Sequence, residues 1–233
     1  MGAKSQDRET GNPSSTLPGK MRVVFLSKEI DYLYVGISLC LTAVYFLRIV
    51  MPLIRGTSDL YAAIFSAYGL VIYAVIGVLF FVRVTPKNFA APKDMVAPLI
   101  SFAAPALMTL LGGYLEAAFS YPYVAIPLFI VGCALTVASF GYLGQGFGIF
   151  PALRKVTTRG PYRVIRHPAY LGETLYILGI VLHRVNWLTV ILFVVSLAAT
   201  IGRIIIEERI LSASPEYREY RKRTRYRLVP GLW

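Results

Sequence analysis

Charge is what this sequence has least of. Only 15% of its 233 residues are Asp, Glu, Lys or Arg, against about a quarter in soluble domains. Acidic residues are scarcer still, 12 against 24 Lys and Arg, and there are only two histidines and two cysteines. Cys40 and Cys133 both lie inside apolar runs, which points to neither a disulfide framework nor a metal site. Both are read as buried thiols. The first 30 residues, rich in Gly, Pro and Ser, lack the apolar core of a secretory signal and read as a disordered cytoplasmic tail. Gln6 stands where an N-myristoylation pattern needs Ser or Thr. No fixed-period repeat is evident.

What is abundant is apolar surface. Hydrophobic residues make up 56% of the chain, and mean hydropathy is +0.61. Six apolar segments stand out, at about 31–54, 60–82, 95–119, 123–143, 169–182 and 187–206. Several approach or exceed the ~20 residues a helix needs to cross a bilayer. The expected fold is an all-α, polytopic transmembrane helical bundle. The short fifth segment leaves two arrangements open for the last pair: two crossings, or a hairpin beside a cytoplasm-facing pocket.

The cations test this map. Residues 1–30 carry five Lys and Arg, 83–94 three, 145–168 five and 203–233 eight. Six crossings place these 21 of 24 on one side, as the positive-inside rule requires, with both termini cytoplasmic. The net charge of +12 therefore fits anionic head groups better than nucleic acid. The expected location is an integral, multi-pass position in a cell inner membrane or the endoplasmic reticulum. Turn residues agree with the boundaries: Pro168 suits the first turn of a helix, Asn186 precedes Trp187, and Tyr121-Pro122-Tyr123 separates segments three and four. His183, at the opposite turn, reads as a loop residue.

Three polar features converge on the cytoplasmic end. The loop GYLGQGFGIF, residues 141–150, has glycines that let backbone approach a ligand, although glycine in membrane helices more often serves packing. The stretch RHPAYLGE, residues 166–173, places Tyr170 and Glu173 on one helical face. Glu173 lies about one turn inside an apolar run, where an ionisable group is a functional candidate; the plainer reading is a pair with Arg166 or another cation. The stretch GRIIIEERIL, residues 202–211, puts Arg203 four residues before Glu207, and its plainer reading is an i,i+4 ion pair. Together, carboxylates, aromatic rings and flexible backbone suit a cationic ligand with polar arms, such as S-adenosylmethionine.

The run TTRGPYRVIRHPAYLGE, followed by EERIL and then PEYREYRKRTRYRLVPGLW, resembles the isoprenylcysteine carboxyl methyltransferase family. Phospholipid N-methyltransferases are similar over the same region, about 141–233. The chain is expected in three parts: the tail over 1–30, amino-terminal transmembrane helices of generic character over 31–120, and, as the resemblance implies, a catalytic region with a basic tail over 121–233. It implies S-adenosylmethionine as cofactor, bound by Gly144, Gly146, Arg166, His167, Tyr170, Gly172, Glu207 and Glu208. Arg203, which holds a substrate carboxylate in this scheme, and Glu173 are the catalytic candidates. No metal is implied. The partners would be a lipophilic or prenylated acceptor and membrane lipid, and the basic tail, residues 215–227, would close over the cofactor and lie on anionic lipid. The leading expectation is carboxyl methylation of a prenylcysteine-like acceptor. The alternatives are a phospholipid N-methyltransferase, an NADPH-dependent sterol-type reductase, whose pattern shares Arg-His-Pro-x-Tyr-x-Gly-Glu, and a non-catalytic scaffold or transporter. Oligomeric state is not readable from the sequence.

Overall fold

The structure, a computed structural model, describes residues 28–57, 60–83, 92–111, 115–148, 152 and 156–233. Most of the polar N-terminal tail expected over 1–30 lies outside the described residues, as do residues 84–91, 112–114, 149–151 and 153–155. Within them all regular structure is helical, with no strand. A long apolar run has little alternative in lipid, because only a helix satisfies its backbone groups within one segment.

Among the described residues seven α-helices follow one another: α1 Lys28–Arg55, α2 Leu60–Val82, α3 Val96–Leu111, α4 Pro122–Leu143, α5 Pro168–His183, α6 Trp187–Leu211 and α7 Pro215–Arg223. Four of them, α1, α2, α4 and α6, are long and apolar enough to cross a membrane. The two others in the bundle, α3 and α5, have 16 residues each, about 24 Å of helix. α5 falls short of a full crossing.

Two boundaries differ from the sequence expectation. The third segment stops being helical well before residue 119. Its helix spans Val96–Leu111 after a 3₁₀ turn, Pro92–Met95, and residues 115–121 are irregular. There the backbone pairs with the α5–α6 turn instead: Ala118 N donates to Val185 O at 2.8 Å, Val185 N to Phe119 O at 3.0 Å, and Tyr121 N to Leu182 O at 2.8 Å. The second difference is α7, a helix inside what the composition presents as a charged tail.

The bundle is organised by pairs. α1 lies along α2, α3 along α6, and α4 along α5. The α4–α5 seam is built from small residues. A side chain at Gly172 would collide with Thr136 Oγ1 and come within 2.8 Å of Gly132 O; one at Gly179 would lie 2.8 Å from both Ala125 O and Phe129 N. Only glycine lets the two backbones approach this closely. That seam fixes the depth of α5, and with it the height of every polar side chain α5 carries.

The ends of the helices are capped by local chemistry. Asn186 accepts from Thr189 N while its own N–H donates to Thr189 Oγ1, a reciprocal cap at the start of α6. His183 is the last residue of α5 rather than a loop residue, and it stacks on Tyr61 of α2. Cys133 is buried, but Cys40 is exposed, one of a row of apolar α1 side chains, with Leu39 and Phe46, on the outer face of a helix read as facing lipid.

Candidate functional site

At the end of the bundle that carries the 145–168 and 203–233 cations, α5 begins with His167 as its cap and Pro168 at the first position. Proline is preset for that turn, and its missing N–H is one of the four that a helix start leaves unpaired. The chain after α7 folds back onto this start. Arg166 N donates to Tyr226 O and His167 N to Arg227 O, both at 2.9 Å. The last residues close a turn over Val229-Pro230-Gly231-Leu232, with Leu232 N donating to Val229 O at 3.1 Å and Gly231 at φ +83°. Proline second and glycine third, with positive φ at the glycine, is what a type II turn demands. The basic tail is thus a strap tied across the site.

The two adjacent glutamates at the end of α6 have separate jobs. Glu208 is buried and saturated: Arg166 Nε donates to its Oε1 at 2.6 Å, Arg227 Nε to its Oε2 at 2.9 Å, and His167 Nε2 lies 3.4 Å from Oε1. Arg166 also donates to the carbonyls of Thr224 and Arg225 at 2.8 and 2.6 Å. This network joins the α5 start, the α6 end and the strap. Glu207 instead accepts a 2.5 Å hydrogen bond from Tyr170 Oη and lines a cavity.

That cavity has a volume of about 520 Å³, within the usual range for small-molecule sites. Its polar end is lined by Arg166, His167, Tyr170, Glu173, Arg203 and Glu207, and by Tyr162, Tyr217 and Tyr220; the rest runs between α1, α2 and α3 past Leu41, Phe65, Ile72, Ile76 and Pro105. Arg203 is the electrostatic centre of the polar end. Its guanidinium lies 3.8 Å from Glu173 Oε2 and 4.6 Å from the centre of the Tyr170 ring. His167 in turn stacks on Tyr170, with ring centres 5.5 Å apart. Glu173, Glu207 and Arg203 together leave a formal charge of −1.

The strap completes the wall. Tyr217 and Tyr220 point inward from α7, and both are buried. Tyr220 Oη donates to Tyr162 O at 2.7 Å. The Tyr217 hydroxyl is buried with no hydrogen-bond partner among the described residues, and its residue lines the cavity. Burial pushes the Tyr217 phenol well up, and the Tyr220 phenol up to about 12. Both are therefore neutral donors at physiological pH.

Several sequence expectations are redistributed. Glu173 meets Arg203, whereas Arg166 is engaged by Glu208. Gly172 is turned toward α4 and serves the helix seam, away from the cavity lining. Gly144 and Gly146 form a 3₁₀ turn after α4. Gly144 takes φ +47° there, and only Gly146 of the two lines the cavity. Glu208 is a structural staple rather than a lining residue. The tyrosines of the cavity lining that the sequence did not single out are Tyr162, Tyr176, Tyr217 and Tyr220. Tyr217 and Tyr220, three apart after a proline, carry the helical spacing that would have revealed the inner face of α7.

Residues 121–216, from the start of α4 to the start of α7, match a family model described as phospholipid methyltransferase. A solved eukaryotic intramembrane Ras methyltransferase, isoprenylcysteine carboxyl methyltransferase, is similar to 91% of this chain over 85% of its own, at 17% identity and a TM-score of 0.48. No curated protein sequence gives a match. The helical membrane architecture makes this an integral-membrane protein, and over residues 121–216 it is similar to phospholipid methyltransferases. The matched model is that of the phospholipid methyltransferases, which the sequence reading names as similar over about 141–233.

Proposed function

We propose that the chain transfers a methyl group from S-adenosylmethionine to a lipophilic acceptor, with a prenylcysteine-like carboxylate as the leading acceptor. The observation that carries this reading is one cavity with two characters. Its polar end gathers Glu173, Arg203, Glu207 and tyrosine faces; its other limb is apolar and runs between the membrane helices.

The residues present fit such a cofactor. A buried hydroxyl without a partner costs roughly 1–3 kcal/mol, so Tyr217 Oη is a donor awaiting a ligand. Glu207 accepts from an ammonium or a ribose hydroxyl. Tyrosine faces accommodate a cation, and the formal −1 of the Glu173–Arg203–Glu207 set favours a positively charged one. S-adenosylmethionine supplies, when bound, a methyl already activated on a sulfonium. The protein's share is then alignment and dryness, which can contribute ~7–11 kcal/mol. Tyr170, held by Glu207 and Arg203, orients the polar end. α7 and the strap cover it against water. Arg203 is the group suited to steer an anionic acceptor, and its pairing with Glu173 tempers that attraction so that a carboxylate keeps its nucleophilicity.

The description of the matched family favours a second reading, N-methylation of a phospholipid amine. There an acceptor ammonium has to lose a proton, and Glu173, Glu207 and His167 are the bases at the site. Calorimetric titration of the protein in lipid nanodiscs separates the cofactor classes. Saturable binding of S-adenosylmethionine and none of NADPH is expected; the reverse overturns the proposal in favour of a reductase.

A further inference from the structure

The 145–168 loop and the C-terminal strap are far apart in sequence, yet a parallel bridge between Ile165 and Tyr226 joins them. The Arg166 and His167 amide bonds lie beside that bridge, and Thr224 Oγ1 approaches Arg163 O at 3.5 Å. This juxtaposition assembles one surface. Arg163, Arg221, Arg223 and Arg225 are exposed, and among the described residues none is in direct ion-pair contact with a carboxylate, although Arg223 acts on Glu219 through space. In contrast, Lys222 is paired with Glu219 at 2.7 Å, and Arg218 donates to the carbonyls at the end of α6. Large apolar side chains stand among these exposed cations: Val164 is 60% and Leu232 81% exposed, and Tyr226 and Val229 are also exposed.

A general inside-positive bias accounts for cations at this end of the bundle. It does not account for apolar side chains displayed between them, which are unfavourable in water. Arginines with interleaved apolar groups, where helices leave a membrane, have the chemistry of a surface seated at the head-group level. The inner side of the same segment contributes Tyr217 and Tyr220 to the cavity wall. We infer that the Arg163–Val164 and Arg221–Leu232 surface docks on anionic phospholipid head groups of the adjacent leaflet, and that this docking holds the strap shut over the cavity. Lipid charge then regulates access to the site. Only the consequence for cofactor affinity rests on the function proposed above.

Hydrogen exchange of the intact protein tests this without any turnover. The Arg166 and His167 amides donate to strap carbonyls, so their exchange reports docking directly. The protein is compared in nanodiscs of phosphatidylcholine alone and in discs containing phosphatidylglycerol. Residues 165–168 and 217–228 should exchange roughly ten to a hundred times more slowly in the anionic discs. The triple variant Arg221→Gln/Arg223→Gln/Arg225→Gln alters exposed side chains only, and the lipid dependence should vanish in it. Equal exchange of the wild type in both discs overturns the inference. So does a lipid dependence that persists in the triple variant. Failure of methyl transfer in every lipid would count against the proposed function and leave this readout untouched.

Discussion

Changing Glu208 to Gln and, separately, Glu207 to Gln should damage different properties, although the two residues are neighbours. Glu208 is 4% exposed and neutralises Arg166, itself 7% exposed. The Arg166–Glu208 bond is 2.6 Å, and Arg227 holds the other oxygen at 2.9 Å. Removing the carboxylate charge leaves Arg166 buried without an anion, and breaking one side of a buried pair costs ~3–5 kcal/mol. The glutamine still accepts one hydrogen bond, which places Glu208→Gln at the lower end of that range. Loss of this staple also frees the strap, whose carbonyls at Thr224 and Arg225 are held by the same guanidinium. Glu207→Gln keeps an acceptor for Tyr170 Oη and leaves the staple intact, so folding should change by less than ~1 kcal/mol. A charged hydrogen bond to a ligand is worth ~1.5–3 kcal/mol, which predicts a rise of roughly ten- to a hundredfold in the cofactor dissociation constant. The assays are chemical denaturation in mild detergent and calorimetric titration of S-adenosylmethionine. The reasoning fails if Glu208→Gln is as stable as wild type, or if Glu207→Gln unfolds as readily as Glu208→Gln.

Other outcomes follow from the same contacts. Tyr217→Phe removes only the orphan hydroxyl, so stability should hold or rise slightly while S-adenosylmethionine affinity falls about tenfold; a fall in stability with affinity unchanged would contradict the cavity-facing role. Gly172→Ala drives a methyl into the α4 backbone and should destabilise by ~1–3 kcal/mol, seen as a lowered denaturation midpoint. Asn186→Ala removes the α6 cap at the far end and should cost ~1 kcal/mol with turnover per folded molecule unchanged. Arg203→Lys should raise KM for a carboxylate acceptor more than it changes cofactor affinity, because lysine loses the planar fork.

Much of the bundle was legible because lipid leaves an apolar run little choice but helix. α2, α4 and α5 begin and end within a residue of the apolar runs, with Pro168 and Asn186 marking starts. The third segment misled because residues 112–119 remain apolar on average, while the backbone near Phe119 is claimed by a non-local pairing with Val185. No local periodicity announces such a partner. In the site, Arg166, His167, Tyr170, Glu207 and Glu208 could be nominated from motif spacing, but not sorted. The division between Glu207, facing the cavity, and Glu208, facing Arg166, follows from the ~100° that one residue turns a helix and from where the strap returns. Gly172 likewise sits inside the motif, yet its reason for being glycine is Gly132 and Thr136 on another helix. α7 was hidden by composition: nine residues with four cations read as solvated tail, and the tyrosine stripe matters only once there is a cavity to face.

The most direct test of the central claim is transfer of a labelled methyl from S-adenosylmethionine by the purified protein in anionic nanodiscs. A prenylcysteine analogue and a phospholipid amine are offered separately as acceptors. The account predicts label in the lipophilic product of one of them, with the prenylcysteine methyl ester as the leading outcome, and its loss in Glu207→Gln. Saturable cofactor binding with no labelled product from any lipophilic acceptor, or undiminished transfer by Glu207→Gln, would contradict it.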